Sequence, residues 1–178
     1  MDRKLEFRGE KMEYRLPDSN DEKLIAQYLQ EHFFNEEHEV ILAQELFLTN
    51  YDEWLEMILN NASFGNGDWG KSLLLLCYDE SVLIGILCVR YELTAELEAQ
   101  YGNIGYSVRP YERNKGYAKQ MLCYALQVCK EHGMERVLLG CHSNNVASST
   151  VIKRCGGVLV NTIIESEAIT NCYYEILI

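Results

Sequence analysis

Proline is scarce in this chain of 178 residues: only Pro17 and Pro110 occur, and each is read as closing a strand. Long apolar runs are missing. The longest nearly unbroken one, Val82–Val89, falls far short of the ~20 residues that a membrane-spanning helix needs. The first residues, Met-Asp-Arg-Lys-Leu-Glu, lack the apolar region of a signal peptide, so a cytoplasmic protein with no membrane partner is expected. The seven cysteines are odd in number and none has Cys-x-x-Cys spacing, which argues against a disulfide framework and against a zinc site. They read as reduced, mostly buried thiols, and no metal is expected. Basic residues are outnumbered, 16 against 27 acids, for a net charge of −11. That balance disfavours nucleic acid as a partner. Repeats, low-complexity tracts and linkers are absent as well, so a single domain over residues 1–178, large enough for a substantial core, is the simplest reading.

The charge is uneven. Residues 1–60 hold fifteen acids and six bases, and the remainder twelve and ten. An acidic half beside a basic loop would suit a cationic substrate meeting an anionic co-substrate; acids that only keep the protein soluble would look the same.

The rest of the chain is organised around Gly102–Ala118. Asn103–Val108 is short, apolar-rich and β-branched, as a strand requires, and Pro110 ends it because it has no N–H for a ladder. Behind Gly116, Ala118, Met121, Leu122, Ala125, Leu126 and Cys129 form one apolar helical face, closed after His132 by Gly133. The loop Arg109–Lys115 therefore joins a strand to a helix N-terminus and carries Arg109, Arg113 and Lys115 against a single acid, Glu112. Unbonded N–H groups, the positive end of the helix dipole and three cations make an anion site; a solvated basic loop is the plain alternative.

Before this centre, Met12–Leu16 reads as an edge strand. A helix over Glu22–Phe34 is capped by Asn20 or Ser19, and Asn50-x-x-Glu53 opens a second helix as a capping box. Asn35–Leu48 has no clear pattern. Gly65-Asn-Gly-Asp-Trp-Gly-Lys-Ser72 matches both G-x-G-x-x-G and the P-loop pattern. A P-loop, however, needs a strand before it and a helix after it. Here a helical pattern precedes, and two apolar runs split at Asp79–Ser81 follow, which read as a β-hairpin. A nucleotide hydrolase built on Gly65–Ser72 stands as the lesser alternative. Tyr91–Gln100 reads as a loop or a short helical turn. After Gly133 come a buried-type strand over Arg136–Cys141, a helix capped by Asn144 or Asn145 and stopped by Gly156-Gly157, and strands over Val158–Ile164 and Cys172–Ile178.

Arg113-x-x-Gly116-x-Ala118 after a strand resembles the Arg/Gln-x-x-Gly-x-Gly/Ala signature of the GNAT superfamily, the acetyl-CoA-dependent N-acetyltransferases. Gly-Asn-Ile-Gly-Tyr-Ser-Val-Arg-Pro (102–110), Asn145-x-Ala-Ser148, Gly156-Gly157, Asp52–Leu55 and Tyr173-Tyr174 are similar to a group of bacterial predicted GNAT acetyltransferases. The likeness is closest over residues 50–178. It implies an α/β chain with the acyl-CoA N-acyltransferase fold: a central mixed, mostly antiparallel sheet flanked by helices. It implies acetyl-CoA as co-substrate, an amine on a small molecule or an exposed amino group as acceptor, and direct attack of that amine on the thioester. Homodimers are common in the superfamily.

The resemblance also implies site residues. Gly102–Val108 and Arg136–Cys141 would splay into a cleft. The pantetheine arm would bond the backbone near Tyr106–Val108. The pyrophosphate would sit on Arg113, Asn114, Lys115, Gly116, Tyr117 and Ala118, with Asn145 and Ser148 on the other side. The catalytic candidates are Tyr106, Tyr173 and Glu92, with His142 and Tyr174 behind them; each has an ordinary packing or solvated role as its alternative. Many members carry a tyrosine that protonates the leaving thiolate where this chain has Ile152, and many have a histidine where it has Asn103. A coenzyme A ester-binding module without catalysis is the remaining alternative.

Overall fold

The computed structural model of the chain describes residues 12–38, 40, 46, 48–65, 70–94, 102–166 and 169–178. Its elements are β1 (Met12–Arg15), α1 (Glu22–Phe34), α2 (Tyr51–Ser63), β2 (Ser72–Asp79), β3 (Val82–Arg90), β4 (Ile104–Val108), α3 (Tyr117–Glu131), β5 (Arg136–His142), α4 (Val146–Arg154), β6 (Val158–Ile164) and β7 (Thr170–Leu177), with a 3-10 turn at Pro110–Glu112.

Local chemistry accounts for most of these boundaries. The Asn50 side chain accepts the Glu53 N–H at 3.0 Å and opens α2 as the capping box predicts. Asn145, not Asn144, caps α4 by accepting the Ser148 N–H at 3.0 Å. The start of α1 corrects the expectation of a cap at Asn20 or Ser19. Its N-cap is Asp21, and the Asp21 side chain makes no cap bond. The carboxylate instead takes two bonds from Arg15, at 2.6 and 2.7 Å, and one from the Tyr78 hydroxyl at 3.1 Å. A buried carboxylate is better satisfied by a guanidinium than by one backbone N–H, so tertiary pairing overrides the local cap.

The strands form two antiparallel sheets, β1-β2-β3-β4 and β5-β7-β6. The expected sheet is therefore present, but divided. β2 is buried on both faces, which is why its sequence is a continuous apolar run instead of an alternation. Leu75 and Cys77 pack with Leu87, Val89, Met121, Leu122 and Ala125 beneath α3. Leu74, Leu76 and Tyr78 pack with Ile25, Tyr28, Trp54 and Ile58 beneath α1 and α2. Gly85 of β3 lets β4 and α3 close down: a Cβ there would lie 2.4 Å from the Ser107 carbonyl oxygen and 2.9 Å from the Met121 methyl.

Candidate active site

The two sheets meet at one point. The Asn103 N–H donates to the Leu138 carbonyl at 2.7 Å, and Gly102 bridges Leu139. The Asn103 side chain completes the clamp: its Oδ1 accepts the Leu138 N–H at 2.8 Å and its Nδ2 donates to the Arg90 carbonyl at 3.0 Å. One buried amide thus ties β3, β4 and β5 together. Beyond it, among the described residues, no backbone bond joins β4 to β5, as two strands that splay into a cleft require.

β4 is prepared for that cleft. The Arg90 N–H bonds the Asn103 carbonyl and the Arg109 N–H bonds the Ile84 carbonyl, both at 2.7 Å, so the odd-numbered residues of β4 turn their backbone to β3. By the alternation of an antiparallel ladder, Ile104, Tyr106 and Val108 turn their N–H and C=O groups to the open side. The Val108 carbonyl is already taken by Arg113 Nε at 3.0 Å. The Ile104 and Tyr106 backbones and the Val108 N–H remain.

At the open end stands the N-terminus of α3. Gly116 is its N-cap, at φ +88°, with no side chain to cap the first turn. The left-handed conformation is what demands glycine here, and a Cβ would meet nothing within 4 Å. The site therefore offers uncapped N–H groups, a positive helix end and empty space in front of it. Asn114 also has positive φ, +63°, which shapes the turn into the helix. Tyr117 fixes the first turn by donating to Asp79 at 2.6 Å.

The cations of the loop have acidic partners. Arg109 holds Glu31 through two bonds, at 2.6 and 2.8 Å. Arg113 holds Glu37 through two, at 2.5 and 2.6 Å, and Lys115 holds Glu112 at 2.7 Å. Arg109 and Arg113 thus dock the loop onto the end of α1, and two acids of the acidic half are committed to that docking. Arg113 beside it holds the Glu37 carboxyl below its usual range. His32 donates to Glu37 through Nδ1 at 2.7 Å, and burial pushes its pKa down. Its Nε2 is buried without a hydrogen-bond partner. The Tyr28 hydroxyl and Ser107 Oγ, 2.8 Å apart, join α1 to β4 nearby. The sequence reading missed these partners. The spacing Tyr28/His32 on one helical face was their one local trace.

Of the catalytic candidates, Tyr106 spans the cleft. Its hydroxyl lies 3.1 Å from Ser148 Oγ, so β4 and α4 touch through side chains where their backbones part. Burial pushes the Tyr106 hydroxyl up to about 12, partly offset by the bond to Ser148. The Cys141 thiol also bonds Ser148, and burial raises its pKa. Tyr173 is buried on β7 opposite Gly140, on the other face of the sheet from Tyr174, and so is not brought to Tyr106. Tyr174 belongs to the core, with Lys153 Nζ 5.8 Å from its ring centroid. Glu92 lies just past β3, at the closed end of the cleft, paired with Lys71 at 3.2 Å. His142 ends β5, and its carbonyl accepts the Asn145 N–H. Ile152 is buried in the core and offers no proton.

The P-loop alternative is not supported by the order of elements. Gly65 follows helix α2, Ser72 begins strand β2, and Lys71 is paired with Glu92. Residues 66–69 of that stretch, and 95–100 of the following loop, lie outside the described residues. Among the described residues no group of His, Cys, Asp and Glu could hold a metal ion, and no helix is long and apolar enough to cross a membrane.

Comparison with known proteins agrees with this fold. The structure is similar to the ribosomal-protein-S5-alanine acetyltransferase from Vibrio fischeri, at TM-score 0.72 and 16% identity over 99% of this chain and 97% of that one. It is similar to Mycobacterium smegmatis RimJ in complex with CoA-disulfide, at TM-score 0.74 and 15% identity over 93% and 81%. It is also similar to the microcin C7 self-immunity acetyltransferase MccE in complex with acetyl-CoA and AMP, at TM-score 0.70 and 17% identity over 96% and 94%. At such identities the likeness shows the fold. No curated protein matches the chain in sequence. The family described as "Acetyltransferase (GNAT) domain" matches residues 11–158, and the chain belongs to it: it is a GNAT N-acetyltransferase, of the family whose co-substrate is acetyl-CoA.

Proposed function

We propose that the chain acts as one cytoplasmic acetyltransferase domain over residues 1–178, moving an acetyl group from acetyl-CoA to a primary amine on a small molecule or to an exposed amino group. The observation that carries this reading is the alignment of two features along one cleft. The Tyr106 backbone and Val108 N–H face its interior, and the uncapped N-terminus of α3 closes its open end. Two of the similar structures bear names that point to different acceptors, a ribosomal protein and a microcin, which supports the breadth of the acceptor class.

In this reading the N–H groups of Tyr117 and Ala118 receive the pyrophosphate, with Gly116 leaving room and Asn114 and Lys115 beside it. The pantetheine amides bond β4 as an added strand would. Arg113 acts by holding the loop on Glu37 and Val108, and Asn145 acts by ordering the start of α4. The amine nitrogen attacks the thioester carbonyl carbon while a backbone N–H of β4 stabilises the developing oxyanion. The carbon–sulfur bond then breaks, the amine loses a proton, and the coenzyme A thiolate gains one. Tyr106, kept protonated by burial and hydrogen-bonded to Ser148, is the donor for that thiolate. Tyr173, on the other face of β7 and kept protonated by burial, takes no part, and Glu92 is the remaining candidate for accepting the amine proton, directly or through water.

The test is thermal unfolding with and without acetyl-CoA, followed by thiol release on addition of amines. Acetyl-CoA at about 100 times its dissociation constant adds ~2.7 kcal/mol to the folded state. Gly116→Glu, which sets a carboxylate in the open space before the helix, is expected to abolish that shift. An unchanged shift in this variant would remove the phosphate site from α3, and a shift without thiol release for any amine would favour the binding module.

A further inference from the structure

Histidine is costly to bury, yet His32, in the last turn of α1, is only 1% exposed. Its two ring nitrogens meet different surroundings. Nδ1 donates to Glu37 Oε2 at 2.7 Å, while Nε2 is buried with no hydrogen-bond partner. The neutral ring, with its proton on Nδ1, fits that environment; a second proton on Nε2 would be a buried N–H without an acceptor. The backbone repeats the contact. The Glu37 N–H donates to the His32 carbonyl at 3.0 Å, across a turn that puts Glu36 at φ +60°. His32 therefore fixes Glu37 by main chain and by side chain.

Glu37 in turn carries the loop. Its carboxylate takes two bonds from Arg113, and Arg113 Nε donates to the Val108 carbonyl at 3.0 Å. The guanidinium is thus anchored to the end of α1 on one side and to β4 on the other. Asn114, at φ +63°, and Gly116, at φ +88°, follow directly and turn the chain into α3. Both members of the Arg113–Glu37 pair are about a third exposed, and an ion pair so open to water contributes little by itself. The buried bond from His32 is what holds one of the partners still. The charged groups that face the ring are Glu37, Arg113 and Glu31, the last paired with Arg109, and the Tyr28 ring lies 4.6 Å away.

We propose that His32 is a positioning residue for co-substrate binding: in its neutral form it holds Glu37, and through Glu37 it holds Arg113, so that the turn before α3 presents its N–H groups to the pyrophosphate of acetyl-CoA. This rests on the reading of the α3 N-terminus as the phosphate site. Protonation of His32 strands an N–H in the interior. The ring relieves that by leaving Glu37, which frees Arg113 and loosens the turn. Burial sets this protonation below the ordinary histidine range, so affinity is complete above it and falls as pH drops through it. His32 is sealed from solvent and reaches acetyl-CoA only through these partners, so its effect falls on affinity and not on the chemical step.

Calorimetric titration with acetyl-CoA from about pH 5 to about pH 8 tests it. At the upper end His32→Leu raises Kd about tenfold, the order of one hydrogen bond to a charged group. Arg113→Ala does the same, and the double variant is no worse than Arg113→Ala alone, because both act through one chain of bonds. His32→Asn, whose amide N–H takes the place of Nδ1–H and does not titrate, keeps wild-type affinity and loses the fall at low pH. The phosphomonoester of acetyl-CoA titrates in the same range, but equally for both proteins, so the difference between their profiles is the signal. If His32→Leu does not fold, the wild-type and His32→Asn profiles decide alone. Parallel profiles for those two proteins overturn the proposal. So does a His32→Leu protein that loses thermal stability with Kd unchanged, or a double variant whose losses add. A wild-type chain that does not bind acetyl-CoA, or a Gly116→Glu chain that binds it as well as wild type, removes the phosphate site itself and this proposal with it.

Discussion

Asn103 holds the base of the cleft, and its removal gives a magnitude that can be worked out in advance. Asn103→Ala leaves the Leu138 N–H and the Arg90 carbonyl, bonded by the side chain at 2.8 and 3.0 Å, without those partners. Arg90 and Asn103 are both buried and Leu138 is half-buried, so water replaces the amide poorly without opening the structure. Leaving a buried donor or acceptor unsatisfied costs about 1–3 kcal/mol for each group, so about 3 kcal/mol is expected for the pair. In a domain of this size each kcal/mol moves the midpoint by roughly 2–4 °C, so the fall is about 6–12 °C. The comparator is Asn145→Ala, which removes an exposed helix cap and costs about 1 kcal/mol. The assay is calorimetry or urea unfolding of both variants with wild type. An Asn103→Ala protein that loses no more stability than Asn145→Ala would refute the clamp. Acetyl-CoA affinity should also fall in Asn103→Ala, because the clamp sets the spacing of β4 and β5.

Four further outcomes are expected. Gly116→Ala places a side chain at φ +88° and costs about 1 kcal/mol in urea unfolding, without a clash because the space is open. Tyr106→Phe lowers kcat by about a hundredfold with little change in KM for acetyl-CoA, if the hydroxyl protonates the thiolate; steady-state thiol release separates the two constants. Burial depresses His32, and Arg113 foremost depresses Glu37. Each contributes stability that is complete above its unfolded pKa and is lost as pH falls through the folded one. Wild-type stability therefore declines first below the ordinary histidine range and again below the carboxylate range, and the second decline is smaller in Glu37→Gln, as unfolding midpoints across pH would show. Lys71→Ala, which breaks a partly exposed pair with Glu92, changes stability by less than about 1 kcal/mol and leaves acetyl-CoA binding intact in the thermal-shift assay.

The sequence by itself determined the elements and the glycine turn into α3. Glycine at 116, the i, i+3, i+4 apolar face of α3 and the Asn50 and Asn145 caps act within a few residues of themselves, so their consequences can be read locally. The double-sided burial of β2 was likewise written in its unbroken apolar run. Tertiary structure alone decided the rest. Asn103 is one polar residue among many until β3 and β5 arrive on either side of it. Arg109 and Arg113 look available for an anion until the end of α1 brings Glu31 and Glu37 to them across more than seventy residues. Whether Tyr106 packs or reacts depends on Ser148, delivered by a different helix. Periodicity and capping report interactions whose partners are near in sequence; clefts, clamps and ion pairs are made by partners that only folding brings together.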